Sequence, residues 1–483
     1  MFAKSDKIRI DELSSFFFVA LSLILLLFNN GFYLFFPALI LYLLFFLVQK
    51  PLRPGVFMLL VFQHFLQISA GVWLANYMGK ELNYNTPSRS VAVIASTIGL
   101  CVLMLPVIYH QNKVPRFSRV QLHGFALQFD IVKVMYLYLG CFFLASFLGS
   151  IAFLFSGLTQ ILISLVKIKW VFFLLFGYLT ILRRERLPLF YLFIFLEFIN
   201  GFLGFFSDFK TVIYFVIVLL LGLLERLRFQ QVIQIVIISA VLGLFALVWT
   251  NIKSDYRSFL NRGEKNQNVS VESKEALGKL IDLSGDVKNK RLDAGVIDLL
   301  DRLQYTYHFA KTIDRVPEYL PHEYGANWLR SIEFTTTPRF LNPDKPTYDA
   351  TEKTKKYTGL RYAGQKEGAS FSLGYFPDCY IDFGLYGMMF VLLAIGLLYM
   401  VIYRFLFKNS PDNYLLKCSI VSAFFLEFNA LEMDSTYMLG RLFSSLVTFF
   451  VLLKFLFPQI YEYVRYREPA SAPTNLIDIQ GGG

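Results

Sequence analysis

Twelve apolar runs, each of membrane-spanning length or close to it, leave this chain little freedom in what it folds into. A helix needs about 20 mostly apolar residues to cross about 30 Å of hydrocarbon, and inside lipid it must satisfy its own backbone hydrogen bonds. The runs fall near 15–29, 32–48, 56–77, 91–109, 133–155, 168–183, 188–205, 210–225, 231–250, 383–406, 414–430 and 438–457. The intervening stretch 156–169 (SGLTQILISLVKIK) reads as an interfacial or re-entrant helix. The expected fold class is an all-α polytopic membrane protein of about twelve transmembrane helices. Composition agrees: only 17% of the 483 residues are charged, against about a quarter in soluble chains.

The basic residues sort by side. With the N-terminus in the cytoplasm, twenty of the 46 Lys and Arg fall in inner segments and six in short outer ones. The positive-inside rule therefore places both termini in the cytoplasm. The net charge of +11 reads as a topology signal, and no nucleic-acid partner is expected. Cys101, Cys141, Cys379 and Cys418 show neither a CxxC pair nor a regular spacing, so neither a disulfide framework nor a zinc site is expected. The first apolar run is followed at once by another, so it reads as a retained span rather than a cleaved leader.

The remaining twenty basic residues lie in one long segment, 251–382, where acids nearly balance them. The chain thus divides into spans 1–9 (1–250), a large outer loop (251–382), spans 10–12 (383–460) and a cytoplasmic tail (461–483), whose terminal Gly481-Gly482-Gly483 reads as an appended remnant. Apolar residues recur at three and four over 271–283 and 293–313, predicting two amphipathic helices. From Pro317 to Pro377 the text turns to Pro, Gly, Thr and Tyr without a clear period, which predicts ordered loop across the membrane mouth.

Three motifs carry a resemblance. They are PRFLNPDKP (338–346), Tyr256-Arg257 just past a span, and the re-entry Phe376-Pro377-Asp378 followed by Asp382-Phe383-Gly384-Leu385-Tyr386-Gly387. With the helix count and the single large loop, the chain resembles the bacterial O-antigen and exopolysaccharide repeat-unit polymerases, the Wzy-like family. The resemblance implies a GT-C-like membrane glycosyltransferase of the bacterial inner membrane with its loop in the periplasm. A glycan carried on undecaprenyl diphosphate would be transferred there to a second lipid-linked repeat unit. The implied partners are undecaprenyl-diphosphate-linked oligosaccharides and membrane lipid, with a chain-length regulator as a further candidate.

That reaction makes three demands on the residues. Fixed cations must hold the departing diphosphate; arginine forks match phosphate oxygens and stay charged, so neither a metal nor another cofactor is expected. Arg257, Arg339, Lys345 and Arg361 in the loop, Lys210 at the head of a span and Arg441 near the last span are the candidates. The plainer reading of any one of them is a solvated or ion-paired surface charge. A general base must take the acceptor hydroxyl proton, and partial burial raises a carboxylate toward the working pH. Asp378 leads, with Asp208 behind it; Asp382, Glu432 and Asp434 also sit near outer boundaries, and His308 and His322 are alternatives. Arg339 belongs to both the catalytic and the diphosphate-holding set. Sugar rings stack on aromatic faces, for which Tyr348, Tyr362 and Trp328 are the candidates, against membrane-interface anchoring as the plainer reading.

Other readings stay open. An O-antigen ligase passing glycan to a lipid A core would share the helix count, loop and arginine chemistry. A lipid-linked saccharide flippase would usually show two similar halves, whereas nine spans precede this loop and three follow it. A non-catalytic scaffold is the third. The sequence contains neither GxxxxGK[ST] nor HExxH, so ATP-driven transport and zinc proteolysis are not expected. Glu197 and Glu427 are the main intramembrane acids, few for an ion-coupled transporter.

Overall fold

The computed structural model describes residues 9–115, 117–151, 159–203, 208–263, 269–285, 292–337, 342, 345–346, 348–362, 370–428 and 430–466. Arg339 and most of PRFLNPDKP lie outside them. The described chain is helical, apart from a two-residue parallel pairing of Arg9–Ile10 with Arg226–Leu227. Its first half contains α1 (Glu12–Leu25), α2 (Gly31–Val48), α3 (Val56–Tyr77), α4 (Arg89–Gln111), the short α5 (Arg119–Leu127), α6 (Ile131–Ile151), α7 (Thr159–Val166), α8 (Ile168–Arg183), α9 (Leu187–Leu203), α10 (Lys210–Gly222) and α11 (Phe229–Leu260). Five short helices follow: α12 (Ser273–Gly285), α13 (Leu292–Leu303), α14 (Tyr305–Arg315), α15 (Ala326–Thr336) and α16 (Ala350–Thr358). The chain ends in α17 (Tyr375–Asn409), α18 (Tyr414–Phe425), α19 (Ser435–Val451) and α20 (Phe457–Val464).

Among the described residues, eight helical stretches are long and apolar enough to cross a membrane: α2, α3, α4, Ile131–Gly149, Ile161–Arg183, α11, α17 and Ser435–Val464. The chain is therefore membrane-associated. Three more apolar helices, α1, α9 and α10, are shorter, at 14, 17 and 13 residues.

The bundle has two ends. At one, Arg53 fastens the turn after α2 to the end of α4 by donating to the carbonyls of Gln111 and Val114. Asn413 donates to the Phe125 carbonyl there at 3.0 Å. At the other end α3 finishes, and α4, α10, α17 and α19 begin. The five short helices fold over this end: Asp314 accepts from the Ser88 amide at 3.1 Å, Lys311 donates to the Asn85 carbonyl at 3.0 Å, and Gln304 accepts from the guanidinium of buried Arg89. The core runs between α4 and α17, which approach closely because Gly99 and Gly396 face the partner helix; a Cβ on Gly396 would collide with the Leu103 carbonyl.

Two expectations about 251–382 need correcting. The helix expected over 293–313 is two helices, parted at Gln304, whose buried carboxamide is drawn to Arg89 and Asp301. The stretch 317–377, expected as loop, contains α15 and α16. Each has local end signals: Asp349 caps α16 by accepting from the Thr351 amide at 2.9 Å, and Gly359 closes it at φ 72°.

Candidate functional site

α17 does not run straight into the bundle. Its first eight residues, Tyr375 to Asp382, form a buried segment, and the helix breaks at Gly384, with φ 66° and ψ −171°, a region open only to glycine. The break frees carbonyls, which the preceding chain satisfies: Glu323 N donates to Ile381 O and Tyr324 N to Asp382 O, both at 3.0 Å. That chain leads into α15, whose first amides, Asn327 and Trp328, donate to the Asp382 carboxylate at 3.1 and 2.9 Å. Asp382 is therefore a cap, placed where the helix dipole favours negative charge.

One turn earlier, Asp378 begins a second, wholly buried network. Its Oδ2 accepts from Lys353 Nζ at 2.8 Å and from both the amide and the hydroxyl of Ser435 at 2.7 Å. Ser331 lies 2.8 Å from the Ser435 and Thr436 hydroxyls alike. Asp378 Oδ1 is buried without a hydrogen-bond partner among the described residues. Next to Ser435, Asp434 caps α19 by accepting from the Tyr437 amide at 2.9 Å, and its other oxygen accepts from the Tyr348 hydroxyl at 2.5 Å. Burial pushes the Asp434 carboxyl above the usual carboxylate range; Lys353 opposes the shift and the Asp378 charge adds to it. Two buried acids thus face one ammonium, and Asp434 is poised to exchange a proton nearer neutrality than an exposed aspartate.

At the same end of the bundle is a cluster of cations. Trp249, Lys253 and Arg257 succeed one another at four-residue spacing and share one face of α11. Lys253 lies within electrostatic reach of Arg257, of Arg302 in the last turn of α13 and of Lys210 at the head of α10; Glu432 is the acid that faces it. Arg302 and Lys210 are exposed, while Lys253 and Arg257 are half-buried. Glu432 and Asp434 are two residues apart, so their Cα atoms are separated by at most about 7 Å. Glu432 therefore links the cation cluster to the segment that carries Asp434.

Of the residues singled out from sequence, Arg257 and Lys210 enter the cation cluster, and Asp378 enters the carboxylate network. Asp378 Oδ2 is filled by its three donors, which makes it an organiser of the network. Asp208 is exposed and accepts from Thr211 Oγ1 at 2.6 Å at the start of α10. Lys345 is bound to the end of α15, donating to the carbonyls of Phe334 and Thr337. Arg361 is exposed. Arg441 is exposed on α19, near the ion pair of Lys167 with Glu427 at 2.5 Å. Tyr348 packs its ring against Tyr437 and Phe334 besides bonding Asp434. Tyr362 stacks on Phe371 and bonds His308 at 2.8 Å; burial pushes the His308 imidazole down to about 4, so it is neutral at pH 7. Trp328 is half-buried beside the core. His322 bonds the Ile381 carbonyl, and Glu197 is held by Lys169 at 2.8 Å.

Lys253, Arg302, Lys353, Ser331 and Ser435 were not legible as site residues in the sequence. Lys253 had a signal, standing one turn before Arg257. Lys353 is one lysine among several in α16, and only the fold turns it toward Asp378.

No curated protein and no solved structure matches the chain. Residues 23–460 match the family model described as a domain of unknown function, DUF8712. Covering nearly the whole chain, that match makes this protein a member of the DUF8712 family.

Proposed function

We propose that this protein is a polysaccharide polymerase of the Wzy-like type, an inner-membrane glycosyltransferase that takes its glycan from undecaprenyl diphosphate. On this reading the chain crosses the membrane twelve times, both termini are cytoplasmic, and the end carrying α12 to α16 faces the periplasm. The observation that carries the reading is the convergence of Lys210, Lys253, Arg257 and Arg302 at one end of the apolar helices around Glu432, two residues along the chain from Asp434, a buried carboxylate whose proton affinity is raised.

The chemistry follows from that juxtaposition. The bond from the donor's anomeric carbon to the diphosphate oxygen breaks, and the diphosphate leaves with the electron pair. Cations fixed around that oxygen stabilise the charge as it develops. The acceptor hydroxyl forms the new bond to the anomeric carbon, and its proton passes to the Asp434 carboxylate, held in place by the Tyr348 hydroxyl and the Tyr437 amide. Asp378 and Lys353 position Ser435, the first residue of α19, and so fix the Asp434 cap beside it.

Purified protein in liposomes with a defined undecaprenyl-diphosphate repeat unit tests this reading. A ladder of lengthened glycans is expected. A single transfer to an added lipid A core would make it a ligase, movement across the bilayer without new linkages a flippase, and an unchanged substrate a non-catalytic scaffold.

A further inference from the structure

α11 is fastened at its two ends and open between them. At its start, the Phe229 amide donates to Asp11 Oδ2 at 2.9 Å and the Phe229 ring meets Phe17 at 5.9 Å. Toward its end, Trp249 packs against Phe202 and Phe209 at 5.4 and 5.2 Å. In between, residues 233–241 are all exposed. Nine successive residues go about two and a half times round a helix, so every face of this stretch is uncovered, including the one turned to the bundle. Ile237 and Ile238, adjacent and pointing in different directions, are 57% and 58% exposed. Apart from Gln234 and Ser239 the stretch is apolar on every face, and within a membrane such a stretch is solvated by hydrocarbon on every side. α11 is thus a strap, with a hydrocarbon-filled slot between its middle and the bundle.

The cations at the loop-bearing end of the same helix indicate what occupies the slot. Lys253 and Arg257 stand on α11 itself, directly beyond Trp249, with Arg302 and Lys210 beside them. An amphiphile that lay along α11 with an anionic head would set that head on the cluster. Length selects the tail. Ile237 lies sixteen residues from Lys253, about 24 Å along the helix axis, whereas one leaflet is about 15 Å deep. With its head on the cluster, an ordinary acyl chain stops short of the slot, and a longer isoprenoid chain reaches it.

We infer that the slot beneath residues 233–241 of α11 binds the tail of a polyprenyl diphosphate whose head rests on Lys210, Lys253, Arg257 and Arg302. This rests on the proposed function for the identity of the lipid and adds where its tail lies. A polyprenyl diphosphate with a photoreactive diazirine at the tail end is added to the full chain in nanodiscs, irradiated, and its adducts mapped by peptide mass spectrometry. Adducts within 233–241 are expected. They should fall at least tenfold in Lys253→Ala/Arg302→Ala and in Ile237→Trp, which fills the slot, and stay unchanged in Phe143→Trp, an exposed site on α6. A phosphatidylglycerol carrying the diazirine at the end of its acyl chain reports ordinary bilayer lipid, and its labelling of 233–241 should be the same in wild type and in Lys253→Ala/Arg302→Ala.

Adducts confined to other helices, or polyprenyl labelling indifferent to the cations, would each overturn the slot. Glycan transfer that persists while tail adducts map elsewhere removes the slot and leaves the transferase reading intact. Cation-dependent adducts in 233–241 without any glycan transfer do the reverse.

Discussion

Replacing Lys353 by Met gives the sharpest view of the buried network. The Lys353 side chain is 12% exposed and Asp378 fully buried, so solvent screens their pairing little. Removing one partner of a buried ion pair costs about 3–5 kcal/mol, because the remaining charge is left uncompensated. Asp378 keeps both bonds from Ser435, which puts the expected loss at the lower end, about 3 kcal/mol or a hundredfold in the unfolding equilibrium. The assay is denaturant-driven unfolding in mixed micelles, followed by tryptophan fluorescence. The double variant Lys353→Met/Asp378→Asn removes both charges and should recover to within about 1 kcal/mol of wild type. Lys417→Met, whose partner Asp412 is fully exposed, is the control and should behave as wild type. A Lys353→Met protein as stable as wild type, or a double variant no more stable than Lys353→Met alone, refutes the reasoning.

Three further outcomes follow from the same geometry. Gly384→Ala forces a side chain into a glycine-only conformation and should cost about 1–3 kcal/mol, with faster amide exchange at Glu323 and Tyr324, whose acceptors lie at the break. Lys169→Met strands the buried Glu197 and should destabilise by about 3–5 kcal/mol, while Lys169→Met/Glu197→Leu returns close to wild type in the same unfolding titration. Because a base works only when deprotonated, the wild-type transfer rate should fall as pH drops through the raised Asp434 value. Asp434→Asn should be slower by at least about a hundredfold and should lack that acid limb in a pH–rate profile.

The apolar runs made helices wherever length and periodicity were clear, and α2, α3 and α4 lie where the sequence puts them; α11 starts where expected but runs to Leu260, ten residues past the expected end at 250 and into the segment read as outer loop. α17 begins eight residues before the expected span, at 375 rather than 383, because the break at Gly384 separates a buried polar-lined turn from the apolar remainder and hides the continuity. α15 and α16, of 11 and 9 residues, are too short for an apolar period to stand out, although the caps at Asp349 and Gly359 were readable. The candidate site was half legible. Arg257 was marked by its place just past an apolar run, and Lys253 shares its helix face. Arg302 and Lys210 come to them from distant segments, and only tertiary packing makes that approach. The choice between carboxylates was likewise hidden: Asp378 and Asp434 look alike in sequence, and they differ in that three donors fill one oxygen of the first while burial raises the proton affinity of the second.

The central claim is that the clustered cations expel a diphosphate as a glycan linkage forms, and the stoichiometry of the leaving group tests it most directly. Reconstituted protein supplied with a labelled undecaprenyl-diphosphate repeat unit should release one free undecaprenyl diphosphate for every linkage made. Lys253→Ala/Arg257→Ala should slow both together by at least about a hundredfold, as expected when charge stabilisation of a leaving group is lost. Release of undecaprenyl monophosphate with inorganic phosphate, or linkages formed at the wild-type rate by the double variant, would contradict the account.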